Sequence, residues 1–320
     1  MRTIALEEHY ATQALLDARA ENAPFDLGAF ASLDAQLCDL DAGRIAAMDT
    51  AGIDVQVLSL MSPGPERLEP ADAIAVTRDA NDQLAAAVKR HPTRFAGFAA
   101  LPTPAPEAAA DELERTVRDY GFKGAAINGH TRGRYLDDHF FWPILERAEA
   151  LDVPIYLHPT PAPQAVVEAT YAGFTPQITA LLASGAWGWH VDTALHVLRL
   201  ILSGAFDRYP RLQLVIGHLG ETLPFMLPRF DVALPPPVTT LARPVSAYLR
   251  EHVHYTISGF NWTPAFLDLL LHVGADRIMF STDYPFASMA ARRGFLDQLP
   301  VSPVDRERIA HGNAERLLRL

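Results

Sequence analysis

Cysteine is almost absent from the sequence, and its scarcity excludes two common kinds of site. Cys38 is the single cysteine, so no intrachain disulfide and no cysteine-based zinc site can form. A chain without disulfides is compatible with a reducing compartment. The first residues contain one arginine and no apolar stretch of signal-peptide length before Glu7, so we expect a cytoplasmic location.

Long apolar runs and an excess of basic residues are also missing. The sequence has no uninterrupted run of about 18 apolar residues, which argues against a membrane-spanning helix. The formal charge of −11 leaves no basic patch for nucleic acid. We therefore expect neither a membrane nor nucleic acid as a partner, although a local metal or arginine can still attract an anionic substrate.

The remaining composition is that of an ordinary globular protein. Hydrophobic residues make up 49% of the chain and charged residues 20%. The 25 prolines are spread along the chain without forming a linker, which favours one compact domain over residues 1–320 with many fixed turns. This length exceeds the usual domain size but is common for α/β barrels.

Short apolar runs alternate with longer amphipathic stretches along the whole chain. Such repetition predicts a parallel sheet covered by helices, and eight repeats favour a closed (β/α)8 TIM barrel over an open doubly wound sheet. No GxGxxG motif follows the first run, which weakens the dinucleotide-binding alternative. Residues 10–33 and 160–189 are long enough to be insertions at the C-terminal rim. The predicted strands are 2–6, 55–60, 95–101, 123–127, 153–157, 213–217, 253–258 and 278–282.

Several predicted strands end in residues that can bind a metal. Glu7 and His9 follow the first run, on one face of the strand because side chains alternate. His158, His218 and Asp283 are each the first polar residue after the fifth, sixth and eighth runs. Each of them taken alone reads equally well as a turn residue. Together, at the catalytic end of a barrel, they predict a site for Zn²⁺, Mn²⁺ or Fe²⁺.

Long motifs in a fixed order then reveal a resemblance that covers nearly the whole chain. The sequence is similar to the amidohydrolase superfamily, in the decarboxylase branch around aminocarboxymuconate-semialdehyde decarboxylase. It most resembles the nonoxidative γ-resorcylate, 2,3-dihydroxybenzoate and 5-carboxyvanillate decarboxylases. The motifs that carry the resemblance are "ALEEH", "RDANDQLA", "GFKGAAINGHTRGRYLDDHFFWPILERAEALDVPIYLHP", "GAFDRYPRLQLVIGHLGETLPFMLPRFD" and "GADRIMFSTDYPF".

The resemblance implies a role for each matching polar residue. It implies one divalent metal ion, with Zn²⁺ as first expectation and Mn²⁺ as the alternative, and no organic cofactor. Asn128 stands where binuclear relatives carry a bridging lysine, which argues for a single ion. His218 and Glu221 match a pair beside the metal, in which the carboxylate orients the imidazole. The implied ligands are Glu7, His9, His158 and Asp283, of which His9 occupies a position where relatives have either histidine or alanine.

Substrate contacts are also implied, for a small aromatic carboxylic acid. Arg229 matches an arginine associated with the substrate carboxylate, and it could be offered across the subunit contact of a homodimer or homotetramer. Phe30 stands near the place of a further arginine in carboxyvanillate decarboxylases, so that substrate is not indicated. Arg44 and Arg67 are weaker candidates. Asn128 is a further substrate-binding candidate, and the aromatic candidates for the pocket walls are Phe25, Trp187, Tyr284 and Phe286.

The chemistry expected is loss of CO₂ from an ortho-hydroxybenzoate. A divalent ion can chelate the carboxylate and phenolate oxygens while an acid protonates the ring carbon. Asp283 is the first candidate acid, and the His218–Glu221 pair is the second. The alternative is a hydrolase of an amide, ester or lactone that uses a metal-bound water. A third possibility is a catalytically silent binding scaffold, which the retained metal positions argue against.

Overall fold

Parallel strands form the centre of the molecule, as the apolar runs predict. The structure, a computed structural model, describes residues 1–22 and 33–320. Within these residues the strands form two parallel sheets, with the orders β1-β2-β3 and β4-β5-β6-β7-β8-β9. Their bounds are β1 Ile4–Tyr10, β2 Val55–Leu60, β3 Phe95–Gly97, β4 Ala99–Ala100, β5 Ala125–Asn128, β6 Ile155–His158, β7 Leu214–Ile216, β8 Val253–Thr256 and β9 Ile278–Met279.

The α/β class is confirmed, but the strand ladder is not one continuous closed ring as expected. The third predicted strand divides at Phe98. β3 pairs with β2 and β4 pairs with β5, so β3 and β4 fall in different sheets, and the Phe98 N–H between them donates to the Leu58 carbonyl of β2. Between β1 and the end of β9, where the two sheets meet again, the Leu6 N–H donates to the Phe280 carbonyl at 3.2 Å. β9 is short because the N–H of Phe280 donates to Ile309 of the C-terminal segment instead.

Helices follow most strands and cover the outer faces of the sheets. The rim segment 160–189, expected as a long loop, contains two short helices and a π-helical turn, Val167–Tyr171. No helix in the described ranges is both long and apolar enough to cross a bilayer. The helices are α1 Gln13–Asn22, α2 Asp34–Cys38, α3 Ala42–Ala51, α4 Pro70–Arg90, α5 Pro106–Tyr120, α6 Trp142–Leu151, α7 Gln164–Val166, α8 Pro176–Leu182, α9 Gly188–Leu202, α10 Ala205–Arg208, α11 Leu223–Ala233, α12 Pro236–Thr239, α13 Val245–Glu251, α14 Thr263–Val273, α15 Met289–Asp297, α16 Pro303–Glu307 and α17 Asn313–Leu318.

The strands are apolar on both faces because two separate cores contact them. The larger core lies between the strands and the helices. A smaller core unites side chains from strands on opposite sides of the sheet order, including Leu6, Phe98, Tyr156 and Val215, and this places it in the common interior. Burial on both faces explains why the strands appear in the sequence as continuous apolar runs without alternation.

A bulge in β1 decides which of its side chains enter the interior. The pairing of β1 with β2 shifts by one residue between Ala5 and Glu8, so Leu6 and Glu7 together lie opposite Val57. Leu6 and Val57 belong to the interior core. Strict alternation would send Glu8 inward after Leu6. The extra residue turns Glu7 inward instead and leaves Glu8 facing the helices.

β4 is the edge strand of the six-stranded sheet, and a buried side chain of α4 forms hydrogen bonds with its backbone. This contact gives a test of the fold. Asn81 of α4 is fully buried, donates to the Ala100 carbonyl at 3.0 Å and accepts from the Ala100 N–H at 2.9 Å. We expect Asn81→Leu to lower the free energy of unfolding by about 2–4 kcal/mol, because both backbone groups lose their partner. Denaturant-induced unfolding measures this. The exposed Gln83→Leu on the same helix is the control and should stay within about 0.5 kcal/mol of wild type.

Candidate metal centre

Four side chains predicted as ligands meet at the C-terminal end of the strands. Glu7 and His9 come from β1, His158 ends β6, and Asp283 follows β9. Their ligand atoms all lie within 4.8 Å of one another. His158 Nε2 is 3.3 Å from Glu7 Oε1, and His9 Nε2 is 3.3 Å from Asp283 Oδ1. The structure thus contains a His/Glu/Asp metal site.

Glu7 uses its two carboxylate oxygens differently. Oε2 accepts hydrogen bonds from the hydroxyls of Tyr156, Thr256 and Ser258. Oε1 is buried and has no hydrogen-bond partner among the described residues. Burial raises the pKa of Glu7, but three surrounding histidines, His218 most strongly, hold the pKa well below its usual range. The carboxylate is therefore ionised, with one oxygen available to a cation.

The two histidines of this cluster, His9 and His158, are candidate ligands whose ring nitrogens face the same point. His158 Nδ1 lies 2.8 Å from the Pro159 carbonyl, which can only accept, so Nδ1 donates its hydrogen there and Nε2 is the nitrogen left to bind an ion. Neither ring nitrogen of the buried His9 forms a hydrogen bond within the described part of the chain. Burial lowers the pKa of His9, which favours the neutral ligand form. Unpartnered buried nitrogen and oxygen atoms fit a divalent ion that accepts N/O ligands.

Asp283 is the most accessible of the four ligands. Its side chain is 17% exposed, whereas that of His9 is 1% exposed. Its φ of 65° lies in the left-handed region, which is unfavourable for a residue other than glycine. The Asp283 N–H donates to the Glu7 carbonyl at 2.9 Å, which ties this strained residue to β1. Asp283 is therefore held where its carboxylate can contact both an ion and a substrate.

The predicted His218–Glu221 pair lies beside the four ligands. His218 Nδ1 is 2.7 Å from Glu221 Oε1, and His218 Nε2 is 3.7 Å from Glu7 Oε1. Burial opposes protonation of His218, but the charges of Glu221 and Glu7 raise its pKa to about 10. The pair sits in a turn in which His218, Leu219, Glu221 and Thr222 all have positive φ. Such strain is typical of functional sites.

One residue beside this pair escapes sequence reasoning. His190 of α9 places Nδ1 2.5 Å from the second oxygen of Glu221, Oε2. It is 31 positions from Glu221 in the chain and follows no predicted strand, so the strand-end argument does not reach it. Its only sequence signal is that it directly follows the segment 160–189, which is predicted to be an insertion at the C-terminal rim.

Behind the metal centre, the outward face of β1 forms a polar network of its own. Glu8 accepts from the Thr282 N–H at 2.7 Å and from Gln56 at 2.9 Å, and burial raises the pKa of Glu8 to about 8. Arg44, a candidate substrate contact, donates to the His9 carbonyl at 2.7 Å and is fully buried. Its guanidinium lies 4.9 Å from the ring of Tyr284. The structure thus places Arg44 and Tyr284 behind β1, apart from the four ligand atoms.

Of the other predicted substrate residues, some lie beside the candidate ligands, some are exposed, and some are outside the described residues. Asn128 pairs with the ligand His158 in the β5–β6 register, and the ring of Phe286 lies 5.4 Å from that of His9. Trp187 is 49% exposed, and Arg229 is exposed on α11. Phe25 and Phe30 lie outside the described residues, and Arg67 has a marginal 3.5 Å hydrogen bond to the Pro161 carbonyl.

Asn128 has a partner that sequence reasoning missed. The buried carboxylate of Glu66 accepts from the side chain of Asn128 at 3.1 Å and from its backbone N–H at 2.9 Å. Asn128 Oδ1 is buried without a hydrogen bond to any described residue. Glu66 therefore orients the amide, with Nδ2 on the carboxylate and Oδ1 directed elsewhere.

Buried imidazoles and carboxylates at the strand ends of a parallel α/β fold define a metal-dependent enzyme. The chain belongs to the Amidohydrolase family, which matches residues 17–320. A gamma-resorcylate decarboxylase from Polaromonas sp. (strain JS666) is 39% identical over 329 residues, covering 99% of this chain and 98% of the relative. The family predicted from the motifs is confirmed.

Solved structures agree with this relationship. A 2,6-dihydroxybenzoate decarboxylase complexed with 2,6-dihydroxybenzoate is similar, with a TM-score of 0.91, 37% identity and 100% of both chains covered. A dihydroxybenzoic acid decarboxylase from Polaromonas sp. JS666, with bound manganese and the inhibitor 2-nitroresorcinol, has a TM-score of 0.91 and 38% identity, covering 100% of this chain and 97% of that chain. These relatives favour the decarboxylase prediction over the hydrolase alternative.

The geometry of the ligand cluster predicts the effect of removing one imidazole. We expect His158→Ala to weaken metal binding more than the roughly 10–100-fold typical of changes outside the coordinating residues. Elemental analysis and a chelator competition measure this, and wild type should contain one ion per chain. His130→Ala is the matched control, because His130 is also a buried histidine near the rim but is not part of the cluster. Two ions per wild-type chain, or full occupancy in His158→Ala, would contradict the assignment.

Proposed function

We propose that this chain is a nonoxidative decarboxylase of an ortho-hydroxybenzoate. The observation that carries the proposal is the cluster of four ligand groups with unpartnered atoms, in a chain similar over its full length to named dihydroxybenzoate decarboxylases. Those relatives act on a ring that bears a hydroxyl group beside the carboxylate. The same substrate class fits a site with one cation between two imidazoles and two carboxylates.

Glu7, His9, His158 and Asp283 are the residues that would hold the ion. A divalent ion held there would supply Lewis-acid stabilisation of the negative charge on a substrate carboxylate and the hydroxyl group beside it. Zn²⁺ stays the expectation from the sequence, and the manganese in the relative from Polaromonas favours the alternative ion. Metal analysis of protein purified without added metal distinguishes the two.

Asp283 is the residue we propose as the proton donor to the ring. Its partly exposed side chain is the one among the four ligands that is best placed to reach a substrate at the mouth of the site. Asp283 takes up the proton that the substrate hydroxyl releases on becoming a phenolate and passes it to the ring carbon that bears the carboxylate. The carbon–carbon bond then breaks, CO₂ leaves, and the electron pair of that bond restores the aromatic ring. His218, held by Glu221, is the second candidate donor.

Asn128, Phe286 and Arg229 are proposed substrate contacts of different kinds. Asn128 and Phe286 lie beside His158 and His9, so they can contact the ring of a substrate at the metal. Arg229 is exposed on α11 and would need a second subunit to reach a substrate. We therefore retain the homodimer or homotetramer as part of this proposal. A single domain over residues 1–320 and a cytoplasmic location also stay proposals.

The reaction itself can be tested with hydroxybenzoates that differ only in the position of the hydroxyl. We expect metal-loaded enzyme to release CO₂ from an ortho-hydroxybenzoate without nicotinamide, flavin, thiamine or oxygen. In D₂O the product should carry one deuterium at the former carboxylate carbon, which mass spectrometry detects. The meta and para isomers cannot chelate one ion through both oxygens. They should react at least about 100-fold more slowly. The barrier difference behind this factor is well below the roughly 7–11 kcal/mol that correct orientation can remove from a barrier.

Cleavage of simple esters, lactones or amides, with a wide panel of ortho-hydroxybenzoates left intact, would overturn this proposal in favour of the hydrolase.

A change at Glu221 separates the neighbouring pair from the metal ligands. We expect Glu221→Gln to keep the metal content of wild type but to lower kcat about 10–100-fold, because an amide cannot accept from two imidazoles with both of its heavy atoms. Steady-state kinetics and elemental analysis on the same preparation measure both quantities. The same substitution at an exposed acid on α6, Glu146→Gln, serves as the control for altered charge. Wild-type turnover in Glu221→Gln would reduce the pair to a structural turn.

A further inference from the structure

His190 connects the rim to the pair beside the metal centre. Its ring is buried, with 7% of the residue exposed. Nε2 lies 3.0 Å from the carbonyl oxygen of Gly185, and Nδ1 lies 2.5 Å from Glu221 Oε2. The ring also packs at 5.3 Å from the ring of Phe260. His190 therefore forms a bridge from the exposed turn before α9 to Glu221.

The two hydrogen-bond partners of His190 determine where the hydrogens lie on and beside its ring nitrogens. A carbonyl oxygen can only accept, so Nε2 must carry a hydrogen. Nδ1 and Oε2 then approach closely, and two facing lone pairs would repel each other at 2.5 Å. A proton therefore lies between them, as imidazolium with carboxylate or as imidazole with carboxylic acid. Both forms give a strong hydrogen bond that fixes the orientation of Glu221.

Both oxygens of Glu221 are occupied as a result. Oε2 is held by His190, and Oε1 is 2.7 Å from His218 Nδ1. The carboxyl group cannot rotate without breaking one of these hydrogen bonds. The opposite side of the His218 ring is closed by Gly259, where a side chain would come within 2.5 Å of the ring. The imidazole of His218 is thereby held in one orientation, with Nε2 facing the ligand Glu7.

The turn that contains His218 and Glu221 has an unfavourable backbone conformation, which contacts from other elements must stabilise. His218 has a φ of 55° and Glu221 a φ of 54°, both unfavourable for residues with side chains. The surrounding structure must hold these conformations in place. His190 belongs to α9, a separate and regular helix, and so it supplies a rigid anchor for Glu221 that the turn itself does not contain.

We propose that His190 is a positioning residue for the reaction: its hydrogen bond to Glu221 Oε2 keeps Oε1 on His218 and so sets the direction of His218 Nε2 toward the metal centre. The proposal rests on the proposed function, because that function gives the His218–Glu221 pair a role. It assigns a role in turnover to a residue that contacts neither the substrate nor the ligand atoms.

Three substitutions at one position separate the two contacts of the bridge. His190→Asn places an amide near the position of Nδ1 and can still donate to Glu221. His190→Gln places its amide near the position of Nε2 and can reach only Gly185. His190→Ala removes both contacts. We expect kcat to fall about 10–100-fold in His190→Ala and His190→Gln, with KM within about twofold of wild type. His190→Asn should recover most of the wild-type kcat.

The matched control is another histidine of α9. His196 is fully buried, and its Nε2 accepts from the Leu136 N–H at 2.8 Å, a hydrogen bond that does not involve Glu221. His196→Gln retains an acceptor there and should keep the wild-type kcat. Metal content and thermal unfolding are measured for every variant. Wild-type kcat in His190→Ala, or a kcat in His190→Asn as low as in His190→Ala, would overturn the proposal.

A measurement that needs no turnover separates this proposal from the proposed function. In metal-loaded protein labelled with ¹⁵N-histidine, the hydrogen on His218 Nδ1 should give a downfield proton resonance. We expect that resonance to shift or broaden in His190→Ala and to persist in His196→Gln and His190→Asn. An unchanged resonance in His190→Ala would overturn the role of His190. Wild-type enzyme inactive on every ortho-hydroxybenzoate would overturn the proposed function alone.

Discussion

The buried carboxylate of Glu7 is the constraint on which the rest of the site depends. An ionised carboxylate in a protein interior is costly unless other groups compensate its charge. Hydroxyl groups from β6, β8 and the segment after β8 satisfy one oxygen, and histidines face the other. Because these groups come from β6, from β8 and from the segments that follow β7 and β8, the charge of Glu7 is balanced only when these strands are assembled around β1. Metal binding and folding are therefore expected to be coupled.

The bulge in β1 lets one strand serve two purposes. Toward the interior, Glu7 and His9 contribute ligand atoms, whereas toward the helices Glu8 joins a buried hydrogen-bond network. Arg44 connects the two faces, because it donates to the carbonyl of His9 from the helix side. The position of His9 in β1 thus depends on a side chain that approaches the strand from the helix side. This arrangement follows the general rule that residues behind the ligands orient a metal site.

Strand positions and the residues that meet in the candidate metal centre could be predicted from the sequence to a large extent. Parallel strands buried on both faces are mostly apolar, so a polar residue that follows an apolar run points to the functional end of a strand. β1 itself continues past Glu7 to Tyr10. Glu7, His158 and Asp283 were found in this way, and the structure brings them together. The short helices within 160–189 could not be predicted, because exposed one- and two-turn helices lack a long periodic apolar face.

The sequence by itself determined the class of fold, the family and the residue types available at the strand ends. Apolar patterns and ordered motifs lie along the chain, so they can be recognised without knowing which distant residues are in contact. Only the tertiary structure decided which partners those residues have. His190 meets Glu221, and Glu66 meets Asn128, across separations of 31 and 62 residues. It also decided that Tyr284 packs against Arg44 behind β1. Hydrogen bonds and ring contacts act over a few ångströms in space, and no local pattern specifies which distant segments will come that close.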